Sequence, residues 1–136
     1  MLTSKQQKEL IKYWLTSSKE KHKTMVGLYT LKRYADCLFF GHLILEKVLK
    51  ALVVQRTKEY APYTHNLPQL MKLSQILLAE EDVKLLARVN QFNMQTRYPD
   101  EKLEFYKIST KSYTDQYYKP IILLYKRLCQ QLKLKK

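Results

Sequence analysis

The sequence predicts an all-α protein, an up-and-down bundle of about five helices, and three observations lead there. Two Gly and four Pro are too few to punctuate a many-stranded sheet, and no hairpin dipeptide separates alternating segments. Apolar residues recur at three- and four-residue spacing along most of the chain. The third observation is the stretch from Tyr34 to Arg56. Placed on a helix, its apolar residues (Leu38, Phe39, Phe40, Leu43, Ile44, Leu45, Val48, Leu49, Ala51, Leu52, Val53, Val54) occupy nearly the whole circumference, as in a helix at the middle of a bundle. The exceptions are His42, Glu46 and Lys50, at i, i+4 and i+8. They form one polar stripe, with Lys47 beside it, on a helix that is otherwise apolar.

Taken in order, Thr3 and Ser4 each precede a glutamine by three residues and can open the first helix as a capping box. Leu10, Ile11, Trp14, Leu15, Ser18, His22, Met25 and Val26 give that helix an apolar face, with His22 at the core edge. Gly27 loosens its end, and Thr30 is the expected N-cap of the second helix. After Arg56 the run TKEYAPYTHN reads as a loop, closed by Asn66 and Gln69 in N-cap and N3 positions. A third helix carries Leu67, Leu70, Met71, Leu73, Ser74 and Leu77 on one face. A fourth opens on Glu80 to Asp82, which suit the positive end of its dipole, and stops near Tyr98 because Pro99 follows. Its inward face is expected at Val83, Leu86, Ala87 and Met94. Asn90, Asn93 and Arg97 fall on the same side and need partners, as amides bridging helices or as contacts to a ligand. The segment PDEKLEFYKISTK reads as a loop with one short helical turn. The last helix follows through Tyr113, Tyr117, Ile121, Leu124, Leu128 and Leu132, with Pro120 in its first turns or kinking it.

A chain of 136 residues fits one helical domain, 1–136, able to bury roughly two-thirds of its unfolded surface. The formal charge of +13 is concentrated at the two ends. Lys5, Lys8, Lys12, Lys19, Lys21 and Lys23 crowd the first helix. After Asp115 only Lys119, Lys126, Arg127, Lys133, Lys135 and Lys136 are charged. If the end helices are antiparallel neighbours, these sum to one positive surface, either a solvated face or one that attracts phosphate or an acidic partner. Cys37 and Cys129 lie in apolar helical surroundings. With no secretory signal and no apolar run near the roughly 18 residues of a membrane span, the expectation is a cytoplasmic protein with reduced, packed cysteines and no membrane segment.

Catalytic signatures are absent. There is no Gly-rich phosphate loop, no Gly-x-Ser-x-Gly elbow, and His22, His42 and His65 are too far apart in sequence to propose a metal site. Glu46 has Lys50 one turn later and reads as half of an i, i+4 pair. Neither a cofactor nor a metal is expected, and no catalytic residue is nominated. The residues nominated to bind a ligand are His42, Glu46, Lys50, His65, Asn90, Asn93 and Arg97, bordering one solvent-reachable cleft.

Four segments together resemble the HEPN family, the nucleotide-binding domain of higher eukaryotes and prokaryotes. They are IKYWL near Trp14, FFGHLILEKVLKALVV from Phe39 to Val54, YTHNLPQL from Tyr63 to Leu70, and TRYPD from Thr96 to Asp100. The resemblance implies a bundle of about five helices, frequently a homodimer, often encoded beside a minimal nucleotidyltransferase in a toxin-antitoxin-like pair. Catalytic members resemble ribonucleases whose site is an arginine, then roughly four to six intervening residues, then a histidine. Arg97 is the positional match here, but Lys102, Leu103 and Glu104 stand where the histidine would. The expected function is therefore a non-catalytic module that binds nucleotide or substrate for a separate nucleotidyltransferase. The alternatives are a basic RNA-binding or ribonuclease-type domain and a purely structural helical dimer.

Overall fold

A computed structural model describes residues 1–133. Its elements are α1 (Ser4–Thr30), α2 (Tyr34–Thr57), α3 (Leu67–Ser74), α4 (Glu80–Met94), α5 (Pro99–Ile108) and α6 (Lys111–Gln130), with no strand among the described residues. The all-α expectation holds, but among the described residues the helices number six rather than about five. The addition is α5, where a loop with one turn was expected. Pro99 opens it, Asp100 and Glu101 sit in its first turn and Lys107 in its last, which suits the helix dipole at both ends. Its one buried side chain is Phe105, so little apolar periodicity marks it.

The four longer helices run up, down, up, down. Leu2 N–H reaches the Lys58 carbonyl at 3.4 Å, which sets the start of α1 against the end of α2. Tyr29 stacks on Tyr118 with ring centroids 4.0 Å apart, and the Ser18 and Tyr125 hydroxyls lie 2.9 Å apart, so α6 runs antiparallel to α1. Ser18 donates to the Leu15 carbonyl, which leaves the Tyr125 hydroxyl as donor to Ser18. On the other side Arg88 reaches Tyr113 and Tyr117 while Asp82 meets Arg127, making α4 antiparallel to α6. The main core draws on all six helices, through Met25, most of α2, Leu67 and Leu70, Leu86, Val89 and Phe92, Phe105, and Ile121 to Leu128. At Gly41 three helices meet. A Cβ there would lie 2.9 Å from Ile121 Cδ1 and 3.1 Å from Met25 Cε.

Several local expectations are corrected. Helix α1 passes Gly27, which faces open space, and continues to Thr30; the Thr30 hydroxyl bonds the Val26 carbonyl instead of capping α2, whose N-cap is Arg33. The inward face of α4 is Leu86, Val89 and Phe92, not Val83, Ala87 and Met94, because Phe92 packs against Phe105 and Tyr117. Leu77 is almost fully exposed beyond the end of α3. Pro120 sits well inside α6, and the helix runs through it. Leu132 packs on the core just past the end of α6. The capping box of Thr3 and Gln6, the Asn66 cap of α3 and the half-buried His22 beside Tyr125 are as the sequence implied. Both cysteines are free, and burial pushes the Cys37 thiol up to about 12. Among the described residues no helix is long and apolar enough to cross a membrane. The expected basic tail residues Lys135 and Lys136 lie outside the described residues.

Candidate functional site

Helix geometry puts His42, Glu46 and Lys50 on one stripe, and the bundle closes over it. His42 and Glu46 are fully buried and Lys50 is 5% exposed. A carboxylate in such a place must be matched by donors. Glu46 Oε2 accepts from Lys47 Nζ at 3.0 Å and Lys50 Nζ at 3.2 Å, and Oε1 accepts from His65 Nδ1 at 2.9 Å. Burial alone would raise the Glu46 carboxyl, but His65, Lys47 and Lys50 outweigh it and hold the group below its ordinary value. The two ammonium groups also lie 5.3 and 5.0 Å from the centre of the Trp14 ring, so α1 supplies an aromatic wall to cations carried by α2.

The second histidine ties the stripe to the loop before α3. His42 Nε2 lies 2.9 Å from the His65 carbonyl oxygen, which can only accept, so the proton is on Nε2. His42 Nδ1 is left without a hydrogen-bond partner, 3.8 Å from Glu46 Oε1. Burial lowers the His42 pKa, outweighing the His65 carbonyl and Glu46, which favour the imidazolium. Two residues after His65, the Leu67 N–H donates to Asn90 Oδ1 at 3.0 Å, which fixes the start of α3 against α4. The network thus runs from Trp14 through Lys47, Lys50, Glu46, His65 and His42 to the α3 cap and Asn90.

Of the residues nominated from the sequence, His42, Glu46, Lys50, His65 and Asn90 are brought together. Asn93 follows Asn90 by one turn of α4 and Arg97 is exposed in the turn after that helix, and among the described residues no side-chain hydrogen bond or ion pair joins either to the others. The expected open cleft along the stripe is also corrected: His42, Glu46 and Lys50 are buried, and the cluster reaches solvent chiefly through His65, whose side chain is 60% exposed, and Lys47, at 18%. Sequence reasoning left Lys47 and Trp14 out of the site. Trp14 carried no signal, since its partners lie on another helix, whereas Lys47 could have been found as the second cation within reach of Glu46.

Chemically, a carboxylate that holds His65 through Nδ1 leaves Nε2 facing away, able to carry a proton to an anionic ligand or to accept one. A family model described as HEPN domain matches residues 11–134 of the chain. No curated protein and no solved structure matches it.

Proposed function

The chain belongs to the HEPN domain family, and from that membership we propose that it is a non-catalytic module holding a nucleotide, or a nucleotide-bearing substrate, for a separate minimal nucleotidyltransferase in a toxin-antitoxin-like pair. The observation that carries this reading is the charge around Glu46. One carboxylate faces two ammonium groups and an imidazole, so the cluster is positive in excess, and its solvent-facing members are Lys47 and His65. A nucleotide phosphate completes the balance by accepting charge-assisted hydrogen bonds from these two. Tyr63, two residues before His65 and fully exposed, offers a ring face to a base. His42, Glu46, Lys50 and Asn90 then position the loop instead of touching the ligand, and Arg97, exposed in the turn after α4, is open to a partner protein.

One feature favours binding over cleavage: the arginine–histidine pair of the family's ribonucleases is missing from the sequence. Titration of the chain with ATP tests the proposal. Lys47→Ala and His65→Ala should each weaken binding by about 1 to 3 kcal/mol, as expected for a lost charge-assisted contact. No saturable binding to the parent chain would remove it.

A second reading, a basic RNA-binding face, is favoured by one observation. Lys126 of α6 acts on His22 of α1, and Lys19 of α1 acts on Cys129 of α6, so cations of both helices flank the seam between them. Affinity falling steeply with salt would favour this face, because a multi-phosphate surface releases many counterions and a small pocket few. Self-association is proposed through α5 and the end of α4, where Met94, Tyr98, Leu103, Tyr106 and Ile108 are exposed.

A further inference from the structure

We propose that the groove between α4 and α6 is a second binding site, for a small ligand that carries an oxyanion, phosphate or carboxylate, on an apolar or aromatic body. The groove has a volume of about 450 Å³, within the range of small-molecule sites. At one end lies the half-buried guanidinium of Arg88. Its Nε donates to the Tyr117 hydroxyl at 3.3 Å, Nη1 to Gln91 Oε1 at 2.6 Å, and Nη2 to the Tyr113 hydroxyl. Its central carbon also lies 5.4 Å from the Phe92 ring centre, 5.9 Å from that of Tyr113 and 5.8 Å from that of Tyr117.

Every one of these partners is neutral. The positive charge of Arg88 is held rigidly, and among the described residues no carboxylate pairs with it. A guanidinium has five N–H bonds. Three are used here, which leaves one on each terminal nitrogen, the fork that a carboxylate or phosphate accepts in bidentate fashion. The other cations of the groove are already matched: Arg127 donates to both oxygens of Asp82, at 2.8 and 2.9 Å, and Lys84 pairs with Glu80 at 3.5 Å. Glu81 adds its charge at the Arg127 end, away from Arg88.

The rest of the groove wall suits the body of such a ligand. Leu85 and the exposed Leu123 are apolar. Pro120 and Gln116, one turn earlier, also line the groove, and the Pro120 ring adds to its apolar surface. A half-buried cation with two unused donors beside an apolar wall makes a polar-ended slot, distinct from the Glu46 cluster.

The experiment is a titration of the full chain with phenyl phosphate and, separately, with benzoate, followed by NMR chemical shifts. At least one probe should saturate, and the tighter of the two identifies the oxyanion. Arg88→Lys, which keeps the charge but not the fork, should weaken binding about tenfold. Leu123→Glu, which adds a like charge at the exposed rim without touching the core, should weaken it several-fold. Saturation is read at the resonances of Leu85, Arg88 and Leu123, which line the groove, and this separates the site from the proposed nucleotide site at Lys47 and His65. The proposal is overturned if neither probe saturates by about 10 mM, or if saturation is indifferent to both Arg88→Lys and Leu123→Glu.

Discussion

Replacing Glu46 by glutamine tests how the centre of the bundle is held. In the parent, one buried carboxylate takes three donors: Lys47 at 3.0 Å, Lys50 at 3.2 Å and His65 at 2.9 Å. Glutamine keeps the shape but removes the charge, and its amide turns a donor toward one of those donors. Lys50, whose side chain is 7% exposed, is then a buried cation without its counter-ion. Removing one partner of a buried pair costs about 3 to 5 kcal/mol. The carbonyl that remains still accepts, so Glu46→Gln should fall near the lower end, about 3 kcal/mol, lowering Tm by roughly 10 °C. Lys50→Met provides the contrast. It removes one of three donors, keeps the apolar stem against Trp14 and leaves Glu46 Oε2 bonded to Lys47, so it should cost about 1 kcal/mol. Urea denaturation at neutral pH, followed by circular dichroism, measures both. The reasoning is refuted if Glu46→Gln lies within about 1 kcal/mol of the parent or if Lys50→Met costs as much as Glu46→Gln.

Gly41→Val should destabilise the chain by about 1 to 3 kcal/mol, because a Cβ there already lies 2.9 Å from Ile121 and a branched side chain forces three helices apart; denaturation at or above parental stability would contradict the close approach. Stability should fall with acid in two stages. Burial holds His42 below its ordinary 6.5, so the unfolded chain binds that proton first; a contribution complete above 6.5 is lost as pH drops toward the folded value. His22, lowered by burial and by Lys126, adds to that stage. Glu46, held below 4.5 by His65, Lys47 and Lys50 against the opposing effect of burial, gives a second loss below 4.5 as pH falls toward its folded value. His42→Gln should flatten the first stage, and an unchanged slope just below 6.5 would count against it. Sedimentation at low micromolar concentration should show self-association weakened by Leu103→Glu, whereas one monomeric species over a hundredfold dilution would remove the proposed interface.

How much of this was legible in the sequence depended on whether a residue's partners were local. Helix α2 was plain because it is apolar all round, and the start of α3 because Asn66 and Gln69 form their cap within three residues. Helix α5 was hidden because its one buried residue, Phe105, finds Phe92 on another helix. The same pair turned α4, so its packed face could not be chosen from α4 alone. The polar stripe of His42, Glu46 and Lys50 was visible at its i, i+4 spacing, but its burial was not, since His65 and Trp14 close over it from the loop and from α1. Arg88 gave no signal for a similar reason: its tyrosines lie on α6, and a lone arginine on α4 reads as solvated.

The proposal that this chain binds rather than cuts is tested most directly by incubating the purified protein with mixed single-stranded RNA, without divalent metal, beside its His42→Ala, His65→Ala and Arg97→Ala variants. Without the arginine–histidine pair, and with His65 the one exposed imidazole of the Glu46 network, no cleavage above background is expected. Cleavage by the parent that vanishes in His65→Ala would show a catalytic site built on Glu46 and His65 and would contradict the account.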